Sequence, residues 1–224
     1  MSKGPSGFID AGQCEGRQPW LWDEAPQGAD VTLILAHGAG APMDSPFMQH
    51  MAQSLAARGV RVVRFEFAYM AQRRVDGRRR PPNPQAQLLQ QWREVYAQVC
   101  QQVAGPVAIG GKSMGGRMAS LLADELDAAA LICLGYPFYA AGKPEKPRVA
   151  HLAELRTPTL IVQGERDALG NREAVSGYNL SAVIELHWLE AGDHDLKPLK
   201  ASGFSHEQHL ETATRVITDF LGVS

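Results

Sequence analysis

Residues 107–116 read Val-Ala-Ile-Gly-Gly-Lys-Ser-Met-Gly-Gly. An apolar, β-forming run enters a tight glycine-rich turn and leaves it as a helical pattern, with Met118, Leu121, Leu122 and Leu126 recurring at three and four. Gly111-Lys112-Ser113-Met114-Gly115 is therefore a G-x-S-x-G between a strand and a helix, the setting that a nucleophile elbow requires. A serine on so sharp a turn needs small residues two before and two after it. The helix behind it aims N–H groups at the same point. As a bare pentapeptide this could equally be a Gly-Ser turn; the strand and helix on either side separate the two readings. The segment also imitates the end of a phosphate-binding loop. The first glycine of such a loop would fall at Pro106, whose φ is fixed and which has no N–H to offer a phosphate. An NTPase reading is disfavoured on that ground.

Around this segment, short apolar runs alternate with amphipathic stripes. Runs at 31–36, 60–67, 107–110, 129–134, 159–162 and 183–188 read as strands, several of them apolar on consecutive residues as strands covered on both faces are. An earlier edge strand is expected near Trp20 to Trp22. One helix starts at Ser45 and Pro46 and ends at Gly59, and a second carries Leu88, Trp92, Val95 and Val99. A last helix starts at a capping box of Ser205 and Gln208. Strand and helix in alternation imply an α/β fold with a mostly parallel central sheet of about six to seven strands and helices on both faces. Ligands then bind beyond the carboxyl ends of the strands. Gln72 to Pro84, rich in arginine, and Gly142 to Pro147 read as surface loops. With 224 residues and no internal repeat, a single domain over 1–224 is expected.

Three further segments follow strands. His37-Gly38-Ala39-Gly40 can supply an N–H donor, from Ala39, to a tetrahedral oxyanion; the second would come from Met114. His37 itself reads as a structural hydrogen bonder. After the run at 159–162, Asp167 is placed to orient a histidine, with Glu165 as the alternative. His194 lies in a polar, glycine-containing loop after the last strand and is the expected general base; His50, His151, His187, His206 and His209 read as structural or exposed. The chain order Ser113, Asp167, His194 is that of α/β-hydrolases. The separations, 54 and then 27 residues, leave space for two strand–helix units and one.

On these residues the sequence resembles the α/β-hydrolase superfamily over roughly 18–222, and more closely the small KANL/Tex-type group related to dienelactone hydrolases. The stretches that carry this are LAHGAGAPMDSPFM (35–48), RVVRFEFAYM with the arginines and Pro81-Pro82 after it, GGKSMGGRMAS (110–120), TPTLIVQGERD (157–167) and GDHDL (192–196). The resemblance implies an α/β-hydrolase fold with Ser113 as nucleophile, Asp167 as acid and His194 as base. The 25 residues from Leu134 to Thr159 leave no space for a large cap domain. Tyr136 and Phe138 leave their strand on the side of the site; they either wall a pocket or pack as a loop. Arg78 and Arg79 follow another strand's carboxyl end and are candidates for an anionic substrate group.

The function this supports is a serine hydrolase, carboxylesterase-like, cleaving a small-molecule acyl substrate; the alternative is a non-catalytic binding or scaffold subunit of the same fold. No cofactor and no metal is expected. A net charge of −2 gives no footprint for nucleic acid, and no apolar run approaches the ~20 residues of a membrane span. Residues 1–14 lack the apolar core of a secretory signal. Three cysteines, Cys14, Cys100 and Cys133, are an odd number without CxxC spacing, so no disulfide framework is expected; Cys100 and Cys133 read as core and the setting as cytoplasmic. Oligomeric state is left open.

Overall fold

The computed structural model describes residues 20–223; the readings of residues 1–14 and of Cys14 lie outside them. Seven strands form one sheet in the order β1-β3-β2-β4-β5-β8-β9. They are β1 (Leu21–Asp23), β2 (Val31–Ala36), β3 (Val60–Phe65), β4 (Val107–Lys112), β5 (Leu131–Leu134), β8 (Thr159–Gly164) and β9 (Ile184–Leu189). The edge strand β1 runs antiparallel to β3. All other pairings are parallel, so the site-bearing loops leave at one end of the sheet. β6 (Tyr139–Ala140) and β7 (Lys143–Pro147) form a separate small hairpin.

The strands that read as continuous apolar runs are covered on both faces, as expected for parallel β-structure. Val31, Leu33 and Leu35 of β2 face α1 (Pro46–Ala56) and α6 (His206–Phe220) through Met48, Met51, Leu55, Leu210, Ala213 and Ile217. Ile34 and Ala36 face the opposite core. There Leu88, Trp92, Val95 and Val99 of α3 (Gln85–Cys100) meet Met118 and Ala119 of α4 (Met114–Ser120). Trp92 is fully buried and meets Phe65 edge-on at 4.8 Å between ring centroids, an arrangement aromatic rings favour. α2 (Ala68–Asp76) and the short α5 (Arg172–Val175) complete the elements. The expected capping box opens α6: Gln208 N–H donates to Ser205 Oγ at 3.1 Å and Ser205 N–H to Gln208 Oε1 at 2.7 Å.

Three expectations are corrected. The arginine-rich segment is not a loop from Gln72 onward, because α2 continues through Asp76 and stops at Gly77, whose φ of 70° is left-handed. Residues 143–147 pair as a strand with β6. Cys100 stands at the exposed end of α3, outside the core.

Candidate active site

Ser113 lies between β4 and α4 with φ 51° and ψ −116°, a conformation that costs a non-glycine residue energy and persists only where its surroundings hold it. Its N–H donates to Leu134 O at 2.9 Å. The flanking glycines are there for space. A Cβ on Gly111 would stand 2.6 Å from Ala36 O, and one on Gly115 would stand 2.5 Å from Ala36 O and 2.7 Å from His37 O. All three contacts are to backbone, which cannot swing away. The elbow therefore sits hard against the end of β2.

His194, in the loop after β9, reaches Ser113 Oγ with Nε2 at 2.9 Å and Asp167 Oδ2 with Nδ1 at 2.8 Å. Asp167 has no exposed surface. It also accepts from Gln163 Nε2 at 2.9 Å and from Leu169 N–H at 2.7 Å. A buried carboxylate at Nδ1 favours the tautomer with its proton there, which leaves Nε2 free to accept from Ser113. The alternative acid, Glu165, instead accepts from Ala191 N–H and from Arg172.

The loop after β2 runs beside the serine: a Cβ on Gly38 would be 3.7 Å from Ser113 Cβ. Residues of α2 and of the short link between β3 and α2 fix this loop. Phe67 N–H donates to His37 Nε2 at 3.1 Å, so His37 is structural as read. Tyr69 Oη donates to Ala39 O at 3.0 Å, and Arg73 lies 3.4 Å from Gly40 O. The buried Glu66 accepts from Met43 N–H and from Arg74, which also clasps Asp44. The guanidinium holds the Asp44 carboxyl below its ordinary range. Among the described residues neither Ala39 N–H nor Met114 N–H has a hydrogen-bond acceptor.

Of the two readings of Tyr136 and Phe138, wall of a pocket or packed loop, their burial fits the packed one, since neither has exposed surface. Tyr136 N–H donates to Gln163 Oε1 at 2.7 Å, its hydroxyl donates to Arg148 O, and its ring packs edge-on against Phe138. This aromatic pair is part of the core. Arg78 and Arg79 are exposed beyond α2, while Arg80 pairs with Asp76. It is Arg73, not either of them, that reaches the loop beside Ser113.

A second serine–histidine pair, Ser120 Oγ with His151 Nε2 at 2.8 Å, belongs to the core side of α4. Ser120 is buried and donates to Arg117 O, and burial pushes His151 down to about 4, Arg117 adding to the effect. No carboxylate stands behind His151 among its hydrogen bonds, so this pair lacks the third member that the Ser113 site has. Gln163, Tyr69 and Lys112, whose Nζ donates to His194 O at 2.7 Å, escaped the sequence reading. A polar residue inside a strand buried on both faces was the available signal for Gln163 and for Lys112.

The sequence family described as an alpha/beta hydrolase domain matches residues 29–222. The chain belongs to the α/β-hydrolase family. Solved structures similar to this α/β-hydrolase include a serine hydrolase without a lid from Xanthomonas campestris, 20% identical, covering 91% of this chain and 87% of the other at a TM-score of 0.67. Another is Est1E from Butyrivibrio proteoclasticus with ferulic acid bound, 17% identical, covering 94% and 98% at 0.69. A third is a dienelactone hydrolase from Anabaena variabilis, 18% identical, covering 92% and 97% at 0.66. At these identities they speak for the fold, a mostly parallel sheet without a large cap. Among the described residues no group of three or more His, Cys, Asp or Glu side chains is placed to hold a metal ion. Within the same residues no helix is long and apolar enough to cross a membrane.

Proposed function

We propose that this chain is a serine hydrolase that cleaves small acyl esters through an acyl-enzyme. The observation that carries this reading is the unbroken relay from Ser113 Oγ through His194 to the buried Asp167, at 2.9 and 2.8 Å. Ser113 Oγ attacks the acyl carbon and its proton passes to His194 Nε2. Ala39 and Met114 N–H groups receive the oxyanion of the tetrahedral intermediate. Collapse of that intermediate expels the alcohol, which takes the proton from His194. Water then attacks the acyl-enzyme, His194 accepts its proton, and collapse returns that proton to Ser113 as the carboxylic acid leaves. Asp167 accepts from Nδ1 and fixes the imidazole throughout.

The acyl group meets an open face, because the 131–159 stretch folds into the hairpin and a 3-10 turn at Ala150–Ala153 rather than into a cap. Small substrates that need little enclosure suit such a site. Arg78 and Arg79 act at longer range, steering anionic substrates by charge. Neutralising both is expected to raise KM for an acidic acyl substrate more than for a neutral one of equal size, and the difference should shrink as salt shortens the ~8–10 Å screening length.

Reaction with a fluorophosphonate tests the reading directly. The wild-type protein should be labelled on Ser113, and Ser113→Ala should lose both labelling and several orders of magnitude in turnover of p-nitrophenyl acetate. A folded wild-type protein that neither takes the label nor turns over short-chain esters would overturn it, and would favour a binding subunit of the same fold.

A further inference from the structure

Lys112 imitates the lysine of a phosphate-binding loop in sequence, yet its side chain goes elsewhere. It is the last residue of β4, immediately before Ser113, and only 6% of its surface is exposed. Taking an ammonium out of water costs several kcal/mol, and a methionine of similar length would fill the same slot without that cost. What the charge does there is therefore a question of its contacts. Nζ donates to His194 O at 2.7 Å and lies 3.3 Å from Asp195 Oδ1. It stands 5.6 Å above the ring of Phe47. Burial pushes the ammonium pKa down, and Asp195 is the foremost of the carboxylates that raise it again.

Two details connect these contacts with the base. Gly135 has a left-handed φ of 63°, and a Cβ there would lie 3.2 Å from Lys112 Nζ and 3.5 Å from His194 Nδ1. Ammonium and imidazole thus crowd the same Cα, where only glycine leaves them space. The histidine loop is also strained: Ala191 and Leu196 hold φ of 52° and 62° without being glycine. Such a loop keeps its shape only if contacts from outside impose it. Lys112 provides one, from the residue covalently joined to the nucleophile.

Resting on the serine-hydrolase reading above, we infer that Lys112 is a positioning residue that ties the base-bearing loop to the elbow, its backbone carrying Ser113 and its ammonium holding the carbonyl of His194. The geometry of attack is then set by one side chain bridging two loops that lie 82 residues apart.

Lys112→Met is the test, with p-nitrophenyl acetate as substrate and thermal unfolding as the check on folding. Misplacing a reacting group by about an ångström can cost 100-fold, so kcat is expected to fall roughly 10- to 100-fold with KM within about twofold. The low-field proton resonance of the His194–Asp167 hydrogen bond should shift or broaden. Lys112→Arg, keeping charge and donors, should recover part of the loss. A folded Lys112→Met with unchanged kcat, or with an unchanged imidazole proton, overturns the inference. If Lys112→Met does not fold, Asp195→Asn serves: it alters an exposed partner and leaves the core intact. The inference then expects kcat to fall about threefold at constant KM, roughly the effect of weakening one hydrogen-bonded ion pair, and an unchanged kcat overturns it. A wild-type protein inert to the fluorophosphonate would instead remove the serine-hydrolase reading itself.

Discussion

The carboxylate of Asp167 receives hydrogen bonds from His194, Gln163 and Leu169 while wholly shielded from solvent. Asp167→Asn presents an N–H or a weaker acceptor to the imidazole, so turnover is expected to fall about 10⁴-fold with the fold retained. Gln163→Leu should act more mildly on kcat and more severely on stability. It strips a donor from Asp167 and leaves Tyr136 N–H without its acceptor, each unsatisfied buried group costing about 1–3 kcal/mol. Steady-state kinetics and denaturant unfolding on both variants separate the two effects. Ser113, Asp167 and His194 were legible because each follows an apolar run in a turn with the right neighbours. Gln163 was hidden inside such a run, where period and composition speak of burial alone. Tyr136 and Phe138 stayed between two readings for a related reason: an aromatic pair after a strand looks the same in sequence whether it faces a ligand or the core.

The elbow and the loop after β2 are one unit, pressed together without space for a methyl group. Gly115→Ala drives a Cβ into two carbonyl oxygens and should cost about 3 kcal/mol, read as a lowered unfolding midpoint, together with loss of fluorophosphonate labelling. Tyr69→Phe is gentler. It removes the hydrogen bond to Ala39 O and leaves the ring in the core, so kcat should fall several-fold while stability changes by about 1 kcal/mol. Equal kcat in Tyr69→Phe and wild type would show that the loop holds its shape without the hydroxyl. The sheet strands and α6 were legible from apolar runs and the capping box. α2 was not, because its arginines read as a solvated loop. What makes it a helix is tertiary: Arg74 folds back on Glu66 and Asp44, and Tyr69 and Met70 are buried. Contacts across thirty residues leave no local signature.

Acid should loosen this molecule through a buried histidine, His37, and a half-buried one, His151, that the fold holds in their neutral form. Burial depresses His151 from 6.5 to about 4 and lowers His37 as well. The unfolded chain takes up these protons near 6.5 and the folded chain resists, so both contributions are complete above that pH and fade below it, that of His151 as pH falls toward about 4. Unfolding midpoints measured across that window should decline, and His151→Gln should flatten the decline; an identical slope in the variant would assign it to other groups. Legible from the start was the alternation of strands and helices, and with it the end of the sheet where the chemistry gathers. The order of the strands in space was not, since parallel pairing joins residues that are far apart in sequence. That order also has a temporal side. Ser113 follows the central strand, but its base arrives in the loop after β9, the sheet's outer edge and the last of the described strands. Non-local pairings of this kind form slowly, after their loops have closed. During refolding, helical circular dichroism should therefore recover before reactivity toward a fluorophosphonate does. The labelled serine becomes a clock that starts only when the outermost strand has docked.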